Sequence, residues 1–100
     1  MAETLVALGR FDLRIPGCRS LKQKRHVVKG LSEAIRSKFT VSVAEVDHQE
    51  LWQRTALGVA VVGGQEYRLM KVMGAIETFV EAWGQVETIQ VTVTLHSQQD

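Results

Sequence analysis

An α+β sandwich in the order strand, helix, strand, strand, helix, strand is predicted by three observations on this 100-residue chain. Residues 4–15 and 86–95 alternate apolar and polar with a period of two, whereas residues 20–37 and 65–83 place apolar residues at spacings of three and four. Between the helical segments lies ALGVAVVGG, apolar on both faces as in a central strand. Two strand–helix–strand halves in this order close onto one antiparallel sheet with both helices on one side.

In TLVALGRFDLRI, residues 4–15, Leu5, Ala7, Phe11, Leu13 and Ile15 fall on one face and Arg10, Asp12 and Arg14 on the other, the pattern of a half-buried strand. Pro16 then fixes φ and Gly17 supplies the positive φ of a type II turn. Ser20 caps a helix over 20–37, with Gln23 at the reciprocal capping-box position and Leu21, Val27, Val28, Leu31, Ala34 and Ile35 as its inward stripe. Phe39, Val41 and Val43 alternate with Thr40, Ser42 and Ala44, placing a second strand at 39–46; VDHQELW is a polar turn. The third strand, 52–62, ends at Gly63 and Gly64. Leu69, Met70, Met73, Ile76, Phe79, Val80 and Trp83 define the second helix, 65–83, with Glu66 near its start and Gly84 as its C-cap. From the last strand, 86–95, Ile89, Val91, Val93 and Leu95 point inward, and the final five residues are expected to fray. Gly30 and Gly74 interrupt the helices at about 1 kcal/mol each relative to alanine, a cost that a close helix–helix approach, a bend or simple tolerance would accommodate.

The expected topology is therefore the ferredoxin-like βαββαβ sandwich: an antiparallel sheet in the order 4-1-3-2 with two helices on one face. It forms a single domain over residues 1–100, ordered over about 3–95. One cysteine, Cys18, excludes an internal disulfide and every multi-cysteine zinc pattern. The apolar runs are far shorter than the roughly 20 residues of a membrane span, and MAETLVALGRF lacks the basic start of a secretory leader. The expected address is the cytoplasm, with no membrane partner.

The net charge of +1 conceals a segregation. Residues 10–38 hold nine bases against two acids, +7, and the remainder holds three bases against nine acids, −6. The bases culminate in RSLKQKR, residues 19–25, at a helix N-terminus, where the macrodipole disfavours them by roughly 0.3 to 1 kcal/mol each. A solvated face is one reading. The other is a socket in which free N–H groups, dipole and flanking cations receive phosphate. The predicted topology sets this turn beside the hairpin VDHQELWQR and the turn WGQVE. On the open sheet face Trp52, Arg54, Ala56, Gly58 and Ala60 then join Arg10, Asp12 and Arg14, and Val6 and Leu8 beside Ala56 and Ala60 form a small apolar middle.

The candidate anion- or nucleic-acid-binding residues are Arg14, Arg19, Ser20, Lys22, Lys24, Arg25, His48, Trp52 and Arg54. Trp52 serves either as a packing residue at a strand end or, beside Arg54 and Arg14, as a stacking platform. Sheet-face RNA recognition through aromatics on the two central strands is disfavoured, because Val6, Leu8 and Arg10 occupy those places. Asp47, His48 and Glu50 resemble an acid–base cluster, and Cys18 near His48 a thiol nucleophile, but neither has a recognisable spacing. No fourth ligand completes a metal site. His26 and His96 read as surface residues. No catalytic residue, cofactor or metal is expected.

IPGCRSLKQKRHVVKGL and KFTVSVAEVDHQELWQRTALGVAVV closely resemble the YlxP-like family of small bacterial proteins of unknown function. The resemblance runs from the first strand through the second helix and is carried by Ser20, Leu21, Lys22, Lys24, Arg25, Ser42, Val43, Glu45, Trp52 and Gln53 together. It implies a ferredoxin-like fold and, from the family's gene neighbourhoods, a link to translation or ribosome maturation. No catalytic residue follows from it. The expected function is a non-enzymatic RNA- or ribosome-associated accessory factor, not an enzyme. The alternative is a homodimeric interaction module using the open sheet face. A regulatory domain responding to a small molecule or metal is a third option without a ligand motif.

Overall fold

The computed structural model describes residues 3–98. Its elements are β1 (Leu5–Arg14), α1 (Leu21–Lys38), β2 (Ser42–Asp47), β3 (Arg54–Gly63), α2 (Glu66–Glu81) and β4 (Glu87–Ser97). The four strands form one antiparallel sheet in the order β2-β3-β1-β4, the expected ferredoxin-like order read from the other edge. α1 packs on the β2 side and α2 over β1, β3 and β4.

The alternation of β1 decides the two faces. Leu5, Ala7, Phe11 and Leu13 are buried against the helices together with Leu57, Val59 and Val61 of β3. Leu31 and Ile35 of α1 and Leu69, Met73, Ile76 and Val80 of α2 complete this core. Gly9 and Gly63 let α2 approach: a Cβ at Gly9 would lie 2.8 Å from Met73 Sδ, and one at Gly63 2.8 Å from Leu69 Cδ2. The opposite face carries Arg10, Asp12 and Arg14, and the register sets Gly58, Ala56 and Arg54 beside them in that order.

Several expectations need correction. The second strand starts at Ser42, because Phe39 closes α1 by donating its N–H to Ile35 O and Val41 turns back on Phe39 O. The third begins at Arg54, which leaves Trp52 in the preceding bend. Ile89 is exposed and not inward, since the β1–β4 register shifts between Asp12 and Leu13 and leaves it outside the ladder. His96 and Ser97, expected to fray, pair with Val6 and Leu5. Ala82, in a right-handed conformation, caps α2 in place of Gly84. Neither Gly30 nor Gly74 has a neighbour within 4 Å of a Cβ position, so a close helix–helix approach within the chain explains neither. Gly17 has the positive φ (72°) that the turn after β1 requires. Among the described residues, no helix is long and apolar enough to cross a membrane.

Candidate functional site

The turn after β1 and the β2–β3 hairpin meet at one end of the sheet. Ile15 N–H donates to Gln53 O at 3.0 Å, and Gln53 Nε2 donates to Cys18 O at 3.2 Å. α1 starts from this junction. Ser20 is extended, and its hydroxyl accepts the Gln23 N–H at 3.1 Å, while Gln23 Oε1 accepts from Arg19 N–H at 2.8 Å. The capping box thus closes on Arg19 and not on Ser20. The Ser20 hydroxyl already serves as an acceptor, so its part is to set the helix start.

Lys22, Arg25 and Lys29 lie three and four residues apart on the outward side of α1, exposed and without an acidic partner among the described residues. Arg19 is likewise exposed. Lys24 departs from this set. It is 1% exposed, with its ammonium 2.9 Å from Glu45 Oε2 and donating also to the His48 carbonyl. Glu45 accepts in addition from Thr55 Oγ1 at 2.6 Å. A lysine so enclosed cannot reach a phosphate; it ties α1 to the β2–β3 hairpin. Its position follows from spacing, since Lys24 falls three residues after Leu21 and four before Val28 on the inward stripe, a signal present in the sequence but masked by its charge.

His48 is the one non-glycine residue with positive φ among those described, at 61°. That conformation turns its carbonyl to Lys24, and the same carbonyl accepts Leu51 N–H at 3.1 Å. Its ring faces the open side, 3.8 Å from carboxylate oxygens of Asp12 and Asp47. Beside it Arg10 donates to both Asp12 oxygens, at 3.1 and 3.2 Å, and to Asp47 at 3.1 Å. The bonds to Asp12 first, then to Asp47, hold the Arg10 guanidinium more firmly protonated than usual. The His48 N–H, at 2.7 Å, and then Arg10 hold the Asp47 carboxyl below its ordinary range. This half of the open face thus joins one guanidinium to two carboxylates, with the His48 ring beside them.

Arg14 and Arg54 stand opposite each other at its rim. Like charges in that relation repel. Arg14 reaches Glu87 only at 4.0 Å, and Arg54 Nε is enclosed without a hydrogen-bond partner among the described residues. Trp52, 51% exposed, lies in the bend just before Arg54. The site residues therefore divide. Arg19, Lys22 and Arg25 belong to the helix side, Arg14, Arg54 and Trp52 to the open side, and Ser20, Lys24 and His48 to the framework between them.

Between the turn after β1, the start of α1 and Gly84–Gln85 lies a cleft of about 640 Å³, apolar at Ile15, Pro16, Cys18 and Val27 and cationic at Lys22. Cys18 is buried and its thiol donates to Ser20 O at 3.4 Å, whereas the His48 ring faces the other side of the sheet. The two are not brought together. Among the described residues no cluster of three or more His, Cys, Asp or Glu is arranged to hold a metal.

The model of a family described as "Protein of unknown function (DUF503)" matches residues 6–93. The "Uncharacterized protein YlxP" of Bacillus subtilis (strain 168) is 34% identical over 83 residues, covering 83% of this chain and 90% of that protein. Among solved structures, "De novo designed protein Foldit4" shares the fold with a TM-score of 0.57 at 13% identity, over 97% of this chain and all of that one.

Proposed function

The chain belongs to the DUF503 family of proteins of unknown function, and from that premise we propose that it is a non-enzymatic, cytoplasmic accessory protein that binds RNA or the ribosome through phosphates. The observation that carries this reading is the outward row Lys22, Arg25 and Lys29 with Arg19, cations that are exposed and without an acidic partner among the described residues. Exposed cations at helical spacing match a phosphate backbone, and the dipole of the α1 N-terminus adds to their field. Arg14, Arg54 and Trp52 extend the surface around the rim, where Arg54 Nε still lacks an acceptor and Trp52 offers a ring to an unstacked base.

A salt series with ribosomal RNA tests the reading. Affinity falls linearly in log–log form, by about 0.7 per single-strand phosphate neutralised. Arg25→Glu with Lys29→Glu flattens that slope, while Lys24→Met leaves it unchanged. Salt-independent binding, or binding indifferent to the reversals, refutes it.

A second reading, a homodimer through the open sheet face, is favoured by Leu8 at 44% and Val62 at 66% exposure, which lie diagonally across the β1–β3 ladder there, Leu8 opposite Ala60 and Val62 opposite Val6.

A further inference from the structure

We infer that β4 is a self-association edge, pairing antiparallel with β4 of a second copy to make one continuous eight-stranded sheet. This proposal is independent of the RNA reading. It starts from a difference between the two edges of the sheet. β2, at one edge, is six residues long, has an irregular register between Glu45 and Asp47, and has its Val43 carbonyl occupied by Arg36 Nη1 at 3.1 Å. Shortness, a bulge and a covering cation are the devices by which edges avoid pairing.

β4 has none of them over most of its length. It runs for eleven residues, its irregularity lies at the start beside Ile89, and from Gln90 to Ser97 it matches β1 without interruption. Its outer row of N–H and C=O groups has no strand beside it among the described residues. The stretch QVTVTLHS contains no lysine, arginine, proline, aspartate or glutamate.

The occupant follows from what this edge would meet in its own copy. With the axis near Val93, antiparallel pairing sets Val91 against Leu95 on the helix side and Thr92 against Thr94 on the open side, residues suited to cross-strand packing. His96 falls opposite Gln90, so no like charges oppose each other. The pairing also accounts for apolar surface that the single chain leaves uncovered. Leu95 is 37% exposed, and Met70, 42% exposed, lies on the flank of α2 turned away from Phe79 and its partner Phe39. Gly74 lies on that same flank, where a Cβ would meet nothing within 4 Å among the described residues, which leaves room for a second α2.

The test is the mass of the full chain in solution by light scattering. A dimer of twice 11.2 kDa is expected, and Thr92→Glu with Thr94→Glu, which brings four carboxylates together across the axis, returns it to monomer with an unchanged circular dichroism spectrum. Glutamate at 92 is compatible with the monomer because its cross-strand neighbour is Arg10. Leu8→Lys on the open face leaves the dimer intact. A monomer at every concentration, a dimer that survives the double substitution, or one lost on Leu8→Lys overturns the proposal. Should the double variant unfold, hydrogen exchange of the wild type decides instead: β4 amides gain protection as concentration rises, and no such gain overturns it.

Discussion

Lys24 and Glu45 form an internal ion pair at 2.9 Å that joins the first turns of α1 to the hairpin between β2 and β3. Removing one member of such a pair leaves the other uncompensated, so Lys24→Ala is expected to destabilise by about 3 kcal/mol. Lys24→Met with Glu45→Leu, which removes both charges and keeps the volume, recovers most of the loss. Urea denaturation of the three variants measures this, and an unaffected single variant sinks it.

Gly9 lies beneath Met73, and a methyl group there would fall 2.8 Å from Met73 Sδ and 3.0 Å from Phe11 Cε1. Both side chains are fully buried, so Gly9→Ala is expected to cost about 1 to 3 kcal/mol. Gly74→Ala, with no neighbour, gains about 1 kcal/mol from helix propensity in a monomer. Thermal unfolding of both variants distinguishes the crowded glycine from the open one.

The carboxyl of Asp47 is held below its ordinary range by the His48 N–H and then by Arg10. A carboxylate favoured in the folded state binds protons less readily than in the unfolded chain. Its contribution is therefore complete above the ordinary carboxylate range and disappears as pH falls through the depressed value. Asp47→Asn should lower stability at neutral pH and reduce the acid-side decline. Denaturation midpoints at neutral and acid pH check both.

His48 contributes to the Lys24 network through its carbonyl, in a backbone conformation that suits glycine. His48→Gly is expected to keep stability within about 1 kcal/mol of wild type, relief of left-handed strain offsetting the added freedom of the unfolded chain. A loss of several times that size would assign the ring, and not the carbonyl, the structural part.

Ser20→Ala removes the acceptor for Gln23 N–H and should cost about 1 kcal/mol, read from the same denaturation curves. RNA affinity should follow that stability change and show no separate loss.

Alternation in β1 and helical spacing from Leu21 to Ile35 were enough to order the elements, because both patterns are imposed by burial on one face. The face shared by Arg14 and Arg54 was legible for the same reason. Strand ends were not: Trp52 and Phe39 have strand-like chemistry but sit where the chain changes direction, which depends on backbone bonds such as Phe39 N–H to Ile35 O. The bulge that exposes Ile89 is a property of register between distant segments and leaves no local signal. Lys24 misled because a basic residue within a basic run reads as surface, although its spacing places it inside. Lys29 extends the outward row beyond the helix start, because it follows Arg25 by one helical turn.

β1 lies between β3 and β4, so two strands from distant parts of the sequence hydrogen-bond to each other along nearly their whole length. Docking β4 onto β1 closes a loop that contains every other element of the fold. Until that closure Leu5–Arg14 is bordered on one flank alone, and the speed at which the sheet completes is set by the meeting of its most distant segments.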